Sequence, residues 1–99
     1  MAAYLYGNID VHDPVLYEQY RARVPAIIAA HGGRYLVRGG VTQVLEGDGK
    51  VSRQVILEFP DMAALQGFYD SPDYAAAKAL RQRAATGTLV AIEGMRLEP

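Results

Sequence analysis

Two polar residues followed directly by proline, Asp13-Pro14 and Ser71-Pro72, fix where this chain must begin its long helices. A short polar side chain accepts an orphan backbone N–H, and proline in the first turn gives up an N–H that had no partner anyway. Ahead of the first start, Ala2 to Val11 reads as a strand: Ala3, Leu5 and Ile9 alternate with Tyr4, Tyr6, Asn8 and Asp10. After it, Leu16, Tyr20, Val24, Ile27, Ile28 and His31 recur at helical spacing until Gly32-Gly33 stops the run. Pro25 stands inside that run and cannot donate to the carbonyl of Arg21, so a kink is expected there.

A second strand is expected from Arg34 to about Glu46 and a third from Lys50 to Phe59, joined by Gly47-Asp48-Gly49 as a tight hairpin. Setting Glu46 opposite Lys50 places Arg38 opposite Glu58 and Gln43 opposite Arg53; a slip of one residue or a bulge would change their faces. Pro60-Asp61 opens a short helix carrying Met62, Leu65, Phe68 and Tyr69. Ser71-Pro72 opens an alanine-rich helix to about Ala85, with Gly87 just past its end, and a last strand runs from Thr88 to about Leu97.

That order gives two strand, helix, strand units with right-handed crossovers. The fold class is α+β: one ferredoxin-like βαββαβ domain over residues 1–99, with a four-stranded antiparallel sheet and its helices on one face. Alternation assigns Ala3, Leu5, Ile9, Val55, Leu57, Phe59, Val90 and Ile92 to the helix side. The other face is expected to show Tyr4, Tyr6, Asn8, Arg38, Thr42, Val44, Gln54, Ile56, Leu89 and Ala91. That face is too apolar for water and too polar for a dry core, so it is expected to pair with a second copy as a homodimer around a partly wet space. A chain this short buries only roughly 60 to 65 % of its unfolded surface, which adds to the case for pairing.

Composition narrows the function classes. The net charge is −1 and the arginines form no run that would neutralise neighbouring phosphates, so no nucleic-acid partner is expected. Cysteine is absent, which excludes disulfides and thiolate chemistry within the chain. No segment approaches the ~20 apolar residues of a membrane span, and a cytoplasmic protein without membrane contact is the expectation. Phosphate loops, dinucleotide fingerprints, serine elbows and HxH or HExxH spacings are missing, so neither a metal nor a cofactor is expected.

Five residues remain as site candidates. His31 closes the first helix and is a tentative catalytic base, though capping explains it as simply. Arg38 and Arg53 are strand arginines that need an anion, either an internal acid such as Glu58 or a bound carboxylate. Tyr74 and Arg81 share a helix face with Lys78, near Tyr69; they are candidates to frame an anion-binding mouth at a sheet edge, the alternative being that Tyr74 packs and Arg81 pairs with an acid. Two further readings stand beside ligand binding: a cofactor-independent monooxygenase or isomerase acting on a small aromatic or lactone-like metabolite, and a structural dimer without ligand. The first two need an enclosed space of at least ~300 Å³.

The segments His31-Gly32-Gly33-Arg34-Tyr35 with Arg38-Gly39-Gly40, Leu45-Glu46-Gly47, Glu58-Phe59-Pro60 and Ser71-Pro72-Asp73-Tyr74 with Leu80-Arg81 span nearly the whole chain. In these the sequence resembles the bacterial domain-of-unknown-function family 1330, within the dimeric α+β barrel superfamily. The resemblance implies a ferredoxin-like subunit in a face-to-face dimer and no particular reaction. The superfamily includes cofactor-independent monooxygenases, muconolactone isomerases, haem-degrading enzymes and chlorite dismutases, and fold analogy does not choose among them. Relatives often carry an aromatic just after the Glu-Gly-Asp turn, where this chain has Gly49. No residue here matches the dedicated haem ligand of the haem-binding branches; His31 is the one candidate, and it stands at a helix end.

Overall fold

The computed structural model describes residues 1–96, which run β1 (Ala3–Val11), α1 (Pro14–Ala30), β2 (Arg34–Arg38), β3 (Arg53–Phe59), α2 (Met62–Tyr69), α3 (Pro72–Ala84) and β4 (Ala85–Glu93). The strands form one antiparallel sheet in the order β2-β3-β1-β4, the ferredoxin-like arrangement expected from the element order. The helix starts are those legible in sequence. Asp13 accepts from the Leu16 amide at 3.0 Å, Asp61 from Ala64 at 2.8 Å and Ser71 from Tyr74 at 3.1 Å. A cap of this kind stabilises a helix by about 1 kcal/mol. The Ala84 carbonyl at the end of α3 accepts from both His12 and Asp13, tying the two long helices together.

One face of the sheet holds the core. Leu5, Ile9, Val55, Leu57 and Phe59 are buried against Val24 and Ile28 of α1 and Phe68 of α2. Tyr17, absent from the helical face expected of α1, is buried there as well, at 5 % exposure. Gly33 is required where the chain leaves α1, because a Cβ would lie 2.8 Å from Phe59 Cζ and 2.9 Å from Ile28 Cγ2.

The β2 to β3 connection differs from the expected hairpin. β2 ends at Arg38, β3 begins at Arg53, and residues 39–52 are neither helix nor strand. A bulge between Tyr35 and Val37 shifts the register, so Arg34 faces Glu58 and Arg38 faces Val55. Gly39 then adopts a φ of +66, which turns the chain away after its amide makes a last bond to the Gln54 carbonyl at 2.8 Å. Arg53 pairs with Ile9 of β1, and Gln43 lies in the connection.

The last strand also departs from expectation. β4 starts at Ala85, immediately after α3, so Gly87 lies inside the strand opposite Ile9. Its pairing sets Val90 against Tyr6 and Ile92 against Tyr4, which puts both on the open face, 41 % and 49 % exposed. Leu89 and Ala91 pair with Gly7 and Leu5 and therefore take the helix side. The alternation was right and its phase was off by one residue, which exchanges the faces of a strand completely. The expected end at Leu97 lies outside the described residues.

Candidate functional site

Arg38 is not on the open face: the bulge in β2 places it opposite Val55, on the helix side of the sheet. Its intended acid, Glu58, is held instead by Arg34 at 2.7 Å. What Arg38 finds is the carbonyl of Arg21, to which its Nη2 donates at 3.0 Å. That carbonyl is the one Pro25 leaves without a helical donor, so the awkward proline and the strand arginine satisfy each other. The guanidinium also stands 4.6 Å from the centre of the Tyr35 ring.

Arg53, at the start of β3, points to the same side. Its guanidinium lies against Gly39, where only the absence of a side chain leaves room, and 5.6 Å from the Tyr17 ring centre. Arg21, Arg38 and Arg53 together with Tyr17, Tyr20, Tyr35 and Tyr74 line a narrow cavity between sheet and helices. Glu18 pairs with Arg21 at 3.0 Å, but among the described residues no carboxylate forms an ion pair with Arg38 or Arg53. The Nε atoms of Arg21 and Arg53 are buried and have no hydrogen-bond partner among the described residues. An unmet buried donor of this kind costs on the order of 1–3 kcal/mol, more when it is charged.

The tyrosines form the roof. Tyr20 and Tyr74 share a hydrogen bond at 2.9 Å between their hydroxyls, and Arg81 Nε donates to Tyr74 at 3.4 Å. Burial, reinforced by Tyr74, pushes the Tyr20 hydroxyl far above the ordinary tyrosine range. Burial likewise raises Tyr35, against the opposing influence of Arg38. Both therefore stay protonated at neutral pH and offer O–H donors.

The sequence candidates thus separate. Arg38, Arg53 and Tyr74 line the cavity, and Arg81 reaches it through the Tyr74 hydroxyl. His31 is not among the lining residues. It ends α1 with its Nε2 4.0 Å from Asp73 and its ring set edge-on to Phe68. Tyr17, Tyr20, Arg21 and Tyr35 also line the cavity, and the sequence did not single them out for it; the signal for Arg21 was its carbonyl, orphaned by Pro25. The enclosed space is about 30 Å³, room for a water or two, and far below the ~300 Å³ expected of a complete small-molecule pocket. Among the described residues, no group of three or more His, Asp or Glu side chains is placed to hold a metal ion, and no helix is long and apolar enough to cross a membrane.

Fold and cavity together define a class: a ferredoxin-like α+β subunit with a cationic, tyrosine-roofed hollow under its helices. The chain belongs to the family described as domain of unknown function DUF1330, which it matches over residues 2–95. No curated protein matches it. Among solved structures it is similar to a protein of unknown function from Rhodopseudomonas palustris, at a TM-score of 0.74 and 20 % identity, covering 97 % of this chain and 84 % of that one. It is also similar to SnoaB, a cofactor-independent oxygenase from Streptomyces nogalater, at 0.62 and 16 %, covering 99 % and 97 %. A dimeric ferredoxin-like protein of unknown function from a Jannaschia species matches at 0.65 and 15 %, covering 95 % and 100 %. At these identities the likeness concerns the fold alone.

Proposed function

We propose that this chain binds a small organic anion whose charged head enters the cavity between Arg38 and Arg53. The observation that carries the reading is the buried, unpartnered Nε of Arg53 beside a second guanidinium that no described carboxylate pairs with. A carboxylate accepts two parallel N–H bonds from a guanidinium, and the protonated Tyr20 and Tyr35 hydroxyls would offer it further donors. Thermal-shift screening with aromatic and aliphatic carboxylates tests this: a hit should raise the melting temperature, and the rise should vanish in Arg38→Ala. No hit with either protein removes the proposal.

The same reading includes a homodimer formed through the open sheet face. Leu36, Val90 and Ile92 are exposed there and, with Tyr4, Tyr6 and Ile56, form a continuous apolar surface. Beside it a polar ladder crosses the strands: Tyr6 donates to Gln54 and Gln54 to Asn8, which also receives the Ser52 amide at 2.9 Å. Turnover of an aromatic or lactone-like substrate is the second reading, and the chain from Arg81 through Tyr74 to Tyr20 is its support, as a route for a proton. Binding leads because, among the described residues, no carboxylate or imidazole lines the cavity to act as a base. A structural dimer without ligand remains the outcome of a failed screen.

A further inference from the structure

The cavity admits a charged head and nothing larger, yet two side chains, the buried Leu5 and the half-buried Leu89, line both it and a much larger hollow beside it. Leu89 lines the cavity, and it also lines an open groove of about 350 Å³ between α2 and the free edge strand β4. It packs onto Gly7, where a Cβ would come within 2.8 Å of its Cδ2, so its place depends on the missing side chain there. The groove beyond is walled by Leu5, Leu65, Tyr69 and Ala91, and carries Asp70 and Gln66 at its rim. The register places these parts in line along β1: Arg53 opposite Ile9, Leu89 opposite Gly7, Ala91 opposite Leu5. Four residues of strand separate the two ends, about 14 Å.

From this the geometry points to an amphipathic monoanion as the ligand class, a carboxylate with an extended apolar tail, bound across both spaces with Leu89 as the divider that it displaces. The inference rests on the anion reading above and adds the tail. Charge sets the direction: the head lies at Arg38 and Arg53, because Asp70 would repel it at the groove end. Apolar area sets the affinity, since each buried methylene adds to it.

The test is a titration with acetate, butanoate, hexanoate and octanoate, followed through the methyl resonances of Leu65 and Ala91, which line the groove and not the cavity. Binding should tighten by at least about ten-fold from acetate to octanoate, with the groove methyls moving only for the longer chains. Ala91→Phe, which fills the groove floor at an exposed position and leaves the core untouched, should reduce that gain to less than about two-fold. Leu89→Phe should do the same from the divider itself. Acetate and octanoate binding equally, or a chain-length gain that survives both substitutions, overturns the two-part site and leaves the anion reading standing. No binding at any length overturns both.

Discussion

Replacing Gly39 with alanine tests how the site is held. Gly39 has a φ of +66, in the left-handed region, where a residue with a Cβ pays roughly 1–2 kcal/mol. The added methyl would lie 2.9 Å from Arg53 Nη2 and closer still to the rest of the guanidinium. Because that group is the end of a flexible side chain, it can move, so the clash adds little to stability loss but displaces Arg53 from the Tyr17 ring. Gly40 is the internal control: it has no positive φ, and no atom stands within 4 Å of a Cβ built there. Gly39→Ala should therefore lower stability by about 1–2 kcal/mol, a fall in melting temperature of roughly 4–16 °C for a domain of this size. Gly40→Ala should be neutral or stabilising by up to ~1 kcal/mol through the unfolded state. Urea and thermal unfolding of the two variants, each repeated with octanoate, read both effects. Equal stability changes at the two positions would refute the backbone argument. A Gly39→Ala protein that is destabilised yet binds carboxylate undiminished would refute the link to Arg53.

Three further outcomes follow from the same contacts. Pro25→Ala supplies the missing N–H to the Arg21 carbonyl and removes a helix-interior proline, so the denaturation midpoint should rise while carboxylate affinity falls as Arg38 loses its anchor. Tyr74→Phe leaves the buried Tyr20 hydroxyl without its partner and should cost about 1–2 kcal/mol in urea unfolding. In the parent protein the folded state keeps the Tyr20 proton where the unfolded chain releases it, so stability should decline as pH rises beyond about 10. A phenolate absorbance titration in which all tyrosines ionise together below the unfolding pH would contradict this. Ile56→Glu puts a charge in the middle of the open sheet face, so sedimentation should return a dimer for the parent and a lone subunit for the variant; a parent that is itself a lone subunit at micromolar concentration removes the dimer.

The fold was legible because its signals are local. Asp13-Pro14, Asp61 and Ser71-Pro72 cap helices through atoms three residues away, and strand alternation needs only neighbours. The candidate site was legible in residue type and not in placement. Arg38 and Arg53 are recognisable as arginines in search of an anion, but the face of Arg38 depends on the bulge at Leu36, and Arg53 takes its place from pairing with Ile9 and from the room left at Gly39, all non-local events. Val90 and Ile92 went to the wrong face for a related reason: β4 takes its phase from pairing with β1, and Gly87 read as a helix stop when it is a strand residue packed against the Asn8 carbonyl. Pro25 is the instructive case. Sequence marked the carbonyl it orphans, and only the folded chain reveals that a strand arginine answers it.

The most direct test of the cationic cavity is the side-chain Nε–Hε spectrum of the arginines during a carboxylate titration. The account predicts that the Arg53 and Arg21 resonances shift together and saturate as their buried N–H groups gain an acceptor, with Arg34, already paired to Glu58, unmoved. Saturating shifts confined to exposed arginines, or none at all up to millimolar ligand, would contradict it.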